Sequence, residues 1–233
     1  MIWRALALVA VLAAPVQAQE HITVARYITP SSEYDHGAVP GGEYAGLEVT
    51  TARGQYRVRL EGQVFEDTAP RLADLDGDGA AEVLTVVSIF DQGAQIMVWG
   101  LRDGALAPLV WNPPIGTRHR WLAIAGIADL DGDGRMEIAY VDRPHLARVL
   151  RVVSLWRDGA TWRIAPVASA EGHTNHRYGA PLIEGGVFDC GQGPEIVTAD
   201  RGWARALASR LVDGRLQTRD LGPYTGPDSL TCG

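Results

Sequence analysis

The feature that most limits what this chain can fold into is a twelve-residue stretch that occurs twice. Ala73–Leu84 reads ADLDGDGAAEVL and Ala128–Ala139 reads ADLDGDGRMEIA. The copies share ADLDGDG, and each places a Glu nine positions after it opens. Each sets three carboxylates at alternate positions: Asp74, Asp76 and Asp78 in one, Asp129, Asp131 and Asp133 in the other. Three like charges so close repel unless a cation lies between them. Hard oxygen donors at this density suit Ca²⁺, which takes about 6–8 oxygens. Gly77, Gly79, Gly132 and Gly134 let the backbone curl around an ion. Each copy is read as a Ca²⁺ loop, giving two sites.

The residues after each loop decide its kind. An EF-hand needs a bidentate Glu at position 12 and a helix on either side. Position 12 is Thr85 in one copy and Tyr140 in the other, and the acid falls at position 9, as Glu82 and Glu137. The next residues, EVLTVVSI and EIAYV, are short and rich in β-branched and aromatic types, which predicts strands. Each loop then reads as a β-hairpin connection. A D-x-D-x-D-G-x-x-[DE] turn between two strands resembles the FG-GAP or VCBS-type repeat of integrin α-subunit-like β-propellers. The resemblance implies one site made by Asp74, Asp76, Asp78, the Ala80 carbonyl and Glu82. It implies a second made by Asp129, Asp131, Asp133, the Arg135 carbonyl and Glu137. One departure is Glu at position 9, where Asp is usual; this changes reach but not charge.

The repetition extends further. Asp76 and Asp131 are 55 residues apart, and Gly186–Val197, GVFDCGQGPEIV, comes next at a spacing of 58. Laid on the second copy without gaps, it puts Asp189 on Asp131 and Glu195 on Glu137, with Val187 and Gly191 replacing the other two acids. This reads as a third repeat that has lost its ion and gained Cys190. Tyr34–Leu47, YDHGAVPGGEYAGL, is a fainter first repeat. Strand-like runs separated by Asp-Gly turns come after each loop, a hairpin signal. Four units of about fifty residues, each a four-stranded antiparallel meander, predict an all-β chain folded as a small β-propeller of about four blades. The expected blades are 27–67, 68–117, 118–175 and 176–225 within a single domain over 19–233. Five shorter blades also fit the length; the seven of the integrin-like relatives do not.

The ends and the charge bear on location. Met1–Ala18 carries one early charge, Arg4, then the apolar run Ala5–Ala14, then Pro15-Val16-Gln17-Ala18. This pattern predicts a signal peptide cleaved before Gln19. The run is too short to span a bilayer, and no later segment is long and apolar enough. The expected location is periplasmic or extracellular. Cys190 and Cys232 are the chain's two cysteines, and in an exported protein an even count predicts that they pair. The formal net charge is −7 and every basic side chain is Arg. No basic run offers a phosphate-neutralising surface, which argues against nucleic acid.

Outside the acidic turns, polar and aromatic residues gather just upstream of each loop. Asp35 and His36, then Arg118, His119, Arg120 and Trp121, then His173, His176, Arg177 and Tyr178 would meet on one face of a propeller. That face could take an anionic or carbohydrate-like ligand; the alternative is solvated loops whose Arg neutralise neighbouring acids. His173, His176 and His119 lack the third-ligand spacing of a transition-metal site, and no Gly-x-Ser-x-Gly marks a serine nucleophile. Trp99, Trp111, Trp121, Trp156, Trp162 and Trp203 are expected to pack between blades. The reading is an exported, Ca²⁺-stabilised, monomeric binding module with an unknown protein or carbohydrate partner. The alternative is a periplasmic enzyme acting on a polysaccharide or phosphate ester through the His/Arg face.

Overall fold

The computed structural model describes residues 20–232, so the leader expected at Met1–Ala18 lies outside the described residues. Within them the secondary structure is all strand, apart from one 3-10 turn at Pro227–Ser229. Among the described residues no helix is long and apolar enough to cross a membrane.

The strands fall into four consecutive units. The first holds β1 (Ile22–Ser31), β2 (Glu43–Thr51), β3 (Gly54–Arg59) and β4 (Gln63–Phe65). The second holds β5 (Arg71–Ala73), β6 (Glu82–Ile89), β7 (Gly93–Arg102) and β8 (Ala105–Trp111). The third holds β9 (Leu122–Ala128), β10 (Met136–Asp142), β11 (Val149–Asp158) and β12 (Thr161–Glu171). The fourth holds β13 (His173–Thr174), β14 (Gly186–Asp189), β15 (Pro194–Asp200), β16 (Arg205–Val212) and β17 (Arg215–Pro223). Every pairing is antiparallel, and β9-β10-β11-β12 is a four-stranded meander that forms a sheet of its own. The order β14-β15-β16-β17 repeats it, with β13 also paired to β15.

The first unit departs from the expected four-stranded meander. Only β1, β2 and β3 pair in sequence; β4 runs along β6 and touches β2 at Tyr44 and Phe65, joining the first two units into one eight-stranded sheet. The cause lies in the side chains. β4 is three residues long, yet its Val64 and Phe65 are buried, and their apolar surface is covered only between the first two units. β1 also begins at Ile22, ahead of the expected boundary at Tyr27.

The second strand of each later unit explains the layering. On β6, Val83 and Val87 face a core shared with the first unit, whereas Leu84 and Val86 face the third. On β10, Ile138 and Tyr140 point back to the second unit, and Ala139 and Val141 point on to the fourth. Alternate side chains leave opposite faces of a strand, so a strand sandwiched between two sheets is largely apolar. EVLTVVSI and EIAYV are such runs. Register shifts at Val98/Trp99, Ala139/Tyr140, Val152/Val153 and Ala206/Leu207 mark bulges, which bend and twist strands. The sheets accordingly curl as a half-barrel.

The two outermost faces are finished differently. On β2 of the first unit, buried Glu48 is held between Arg26 and Arg57, at 2.5 and 2.6 Å. These guanidiniums, Arg57 foremost, keep its carboxyl below the usual range. The far face of the fourth unit, with Val197, Ala199, Ala206 and Ala208, is covered by the chain's own C-terminal segment through Tyr224 and Leu230. A Cys190–Cys232 disulfide, with Cα atoms 5.3 Å apart, ties that segment down. Of the six tryptophans among the described residues, Trp99, Trp121 and Trp162 pack between units as expected. Trp111 is 51% exposed, and Trp156 and Trp203 lie beneath Arg135 and Arg177.

Sheet separation between the third and fourth units depends on Gly126 of β9. A Cβ there would lie 2.5 Å from Val187 Cγ2 on β14. Gly126→Ala is expected to destabilise by about 1–3 kcal/mol, the usual range for overpacking, read as a lowered urea midpoint. An unchanged midpoint would show that β14 gives way freely.

Candidate functional site

The two acidic turns connect β5 to β6 and β9 to β10, and they are built alike. In the first, Asp74 accepts the N–H groups of Gly77 and Gly79 at 2.8 and 2.9 Å. In the second, Asp129 accepts those of Gly132 and Gly134 at 2.8 and 3.1 Å. Asp76 and Asp131 accept from Asp78 and Asp133, and these in turn accept from Ala80 and Arg135. Glu82 and Glu137, both buried, reach back to the N–H of Leu75 and Leu130 at 2.9 Å. Gly77, Gly79, Gly132 and Gly134 all have φ between 76° and 87°, a region that glycine enters without strain.

Carboxylate oxygens of Asp74, Asp76 and Asp78 lie within 4.8 Å of one another, as do those of Asp129, Asp131 and Glu137. Two ligands of one Ca²⁺, each about 2.3–2.6 Å from it, cannot be more than about 5 Å apart. Both donor sets therefore fit a hard divalent cation. The electrostatics agree. Burial, then the charges of Asp76, Asp78 and Asp74, push Glu82 up to about 7. Burial and then Asp131 and Asp133 also raise Glu137 above the ordinary carboxylate range.

The turns differ in their nearest cation. Arg157 of β11, from the third unit, places Nη1 2.8 Å from Asp76 and 3.8 Å from Asp78. Among the described residues, the second turn has only its own Arg135, 3.9 Å from Asp133.

Strand register corrects the alignment of the third turn. Glu82 pairs with Ala73, Glu137 with Ala128, and Glu195 with Phe188. Asp189 therefore occupies the place of Asp129, not of Asp131, and the turn is two residues shorter. It behaves accordingly, accepting N–H bonds from Gly191 and Gly193. Glu195 is neutralised by Arg219 at 2.6 Å. In the first unit Glu43 holds the equivalent place opposite Ser31, accepting from His36 and Gly37.

Away from these turns, loops of the first, third and fourth units and the segment that joins the second to the third meet around a cavity of about 410 Å³. His36, His119, Arg120 and Tyr178 line it, as the sequence suggested. His36 and His119 stack in parallel, 4.9 Å between centroids. His36 Nδ1 bonds buried Glu66, and His119 Nε2 bonds the Tyr34 carbonyl at 2.8 Å. Tyr178 donates its hydroxyl to the His36 carbonyl.

Four other residues expected on this face have different places. Arg118 donates to the carbonyls of Glu33 and Tyr34 and stacks on Tyr34 and Phe90. Arg177 lies 3.8 Å over Trp203 and pairs with Glu184, facing the fourth unit. His176 is buried behind the cavity wall, edge-on to Trp121 at 4.8 Å. His173 bonds Thr198 within the fourth sheet.

His145 also lines the cavity, a place the sequence reading does not give it. It bonds His176 at 3.1 Å, and burial, with the neighbouring His176 and His36, pushes it down to about 4, so it is neutral at neutral pH. A signal is present in the chain: Asp142-Arg143-Pro144-His145 and Asp200-Arg201-Gly202-Trp203 each begin on the last residue of the strand that follows their unit's turn.

Comparison with known proteins agrees with the turn chemistry. The family described as FG-GAP-like repeat matches residues 74–140. The match runs from the first carboxylate of one turn to the strand after the other, less than a third of the chain. Over that span the chain carries FG-GAP-type repeat sequence. No curated protein matches it.

Proposed function

We propose that the protein is an exported binding module in which the four units are blades of a small, incompletely closed propeller and two turns are clamped by Ca²⁺. The observation that carries this reading is the duplicated turn. The same hydrogen bonds recur in both copies, and both gather carboxylate oxygens closely enough for one ion. Asp74, Asp76, Asp78 and Glu82, with the Ala80 carbonyl, would hold one ion. Asp129, Asp131, Asp133 and Glu137, with the Arg135 carbonyl, would hold the other. A bound ion offsets like-charge repulsion at the junction of two strands and so stiffens each blade; the sites are structural. Export is supported by the Cys190–Cys232 bond, which suits an oxidising compartment, and by the leader pattern.

Calorimetric titration of the chelated protein with Ca²⁺ tests the reading. Wild type is expected to take two ions per chain, and Asp129→Ala only one. Absence of any binding would overturn the calcium assignment.

The first turn is expected to bind more weakly than its carboxylates alone would allow, because Arg157 already neutralises Asp76. An exposed pair of this sort is worth about 0.2–1 kcal/mol, so Arg157→Ala is expected to tighten the first site by up to about fivefold. The same substitution should leave the second site unchanged.

A further inference from the structure

We infer that the cavity where these loops converge is a saccharide site, with one pyranose ring held by His36, His119, Asp35, Arg120 and Tyr178. This deepens the binding-module reading and rests on it.

The hydrogen-bonding edges decide the ligand class. The Tyr34 carbonyl can only accept, so His119 carries its proton on Nε2. Its Nδ1 is then a lone-pair acceptor. His36 Nδ1 is taken up by buried Glu66, which leaves Nε2 open to a ligand. Neither of these two nitrogens has a protein partner among the described residues. Arg120 supplies a guanidinium with no ion-pair or side-chain hydrogen-bond partner among those residues, and exposed Asp35 supplies a carboxylate likewise. Arg143, also on the wall, is spent on Asp142 at 2.7 and 3.0 Å. The cavity thus offers several acceptors, one forked donor and no excess charge.

An anion brings only acceptors; it would leave the His119 lone pair unmatched and would meet the Asp35 carboxylate. A cation would meet Arg120. A polyol brings O–H groups that donate to His119 and Asp35, accept from Arg120, and can do either with His36 Nε2. Tyr178, 60% exposed, with Leu146 beside it at 58%, adds an apolar rim for the C–H face of a sugar ring. About 410 Å³ is within the range of small-ligand pockets.

Backbone strain is present at the same place. Three of the eight non-glycine residues with positive φ among the described residues, Asp35 (51°), His119 (60°) and Arg143 (47°), line this cavity. Such conformations cost about 1–3 kcal/mol each and cluster at binding sites.

Saturation-transfer NMR tests the inference, using the whole protein with glucose, galactose, N-acetylglucosamine and galacturonate at millimolar concentration. Transfer to at least one of these sugars is expected. Arg120→Ala and Tyr178→Ala should each weaken it at least about tenfold, the loss from one hydrogen bond to a charged group or one ring contact. Their thermal melts should match wild type. Arg177→Ala, which faces away from the cavity, should bind as wild type does. Transfer to none of the four sugars overturns the inference, and so does transfer that survives in both cavity variants. Calcium stoichiometry is read separately, so failure here leaves the clamped-turn reading standing, and failure there leaves this one.

Discussion

In excess EDTA the protein is expected to melt about 10–20 °C below its calcium-loaded form. The size comes from mass action. At free Ca²⁺ a hundredfold above the dissociation constant, each site adds about 2.7 kcal/mol, and two independent sites add about 5 kcal/mol. For a domain of this length, 1 kcal/mol shifts the midpoint by about 2–4 °C. The direction is set by the turns. Glu82 is buried beside three aspartates, and Glu137 is buried beside Asp131 and Asp133. Without a cation, backbone N–H groups and the nearby Arg157 and Arg135 are left to answer that charge. Asp74→Ala and Asp129→Ala should each remove about half of the calcium-dependent shift, and the double substitution all of it. A melting curve that ignores both EDTA and Ca²⁺ would show that N–H bonds and the arginines suffice.

The turns can be read directly from sequence because their chemistry is local. Carboxylates at alternate positions, glycines between them and a Glu at a fixed distance define the geometry within a dozen residues. The runs after each turn are equally plain, since β6 and β10 are buried on both faces and so are largely apolar. Features that depend on distant partners are hidden. Nothing in QVF says that β4 will leave its own unit for β6. The third turn is two residues shorter than its relatives, which a gapless alignment cannot see and strand pairing shows at once. On the His/Arg face, residue type misleads. Arg118 and Arg177 are as basic in sequence as Arg120, but neighbouring carbonyls and aromatic rings use them structurally. His145 escapes notice because it comes after a strand, whereas the polar clusters that stand out in the sequence precede the acidic turns.

Reduction of Cys190–Cys232 is expected to cost about 4 kcal/mol, the entropy of closing a loop with a sequence separation of 42. The melting temperature should fall by about 8–16 °C. The position of the bridge makes the effect more than a loss of crosslinking. The sheet faces that meet in the interior are covered by a neighbouring unit, but among the described residues the last face of the fourth unit is covered by Trp203 and the segment from Leu221 to Cys232. Its apolar residues, Val197, Ala199, Ala206 and Ala208, are fully or almost fully buried, with Leu230 pressed among them. Releasing the segment lets that face reach water, so the Cys190→Ser, Cys232→Ser protein should bind a hydrophobic dye below its melting transition, which wild type should not. Its calcium stoichiometry should stay at two, because Asp74 and Asp129 lie in other units. Substituting Leu230 by Ala in the oxidised protein separates the two contributions: the bridge remains, a cavity costs about 2–5 kcal/mol, and the dye signal should be smaller than in the bridge-less variant. If the bridge-less protein melts with wild type and binds no dye, then Leu230 and Tyr224 hold the cap unaided and the disulfide contributes nothing to stability.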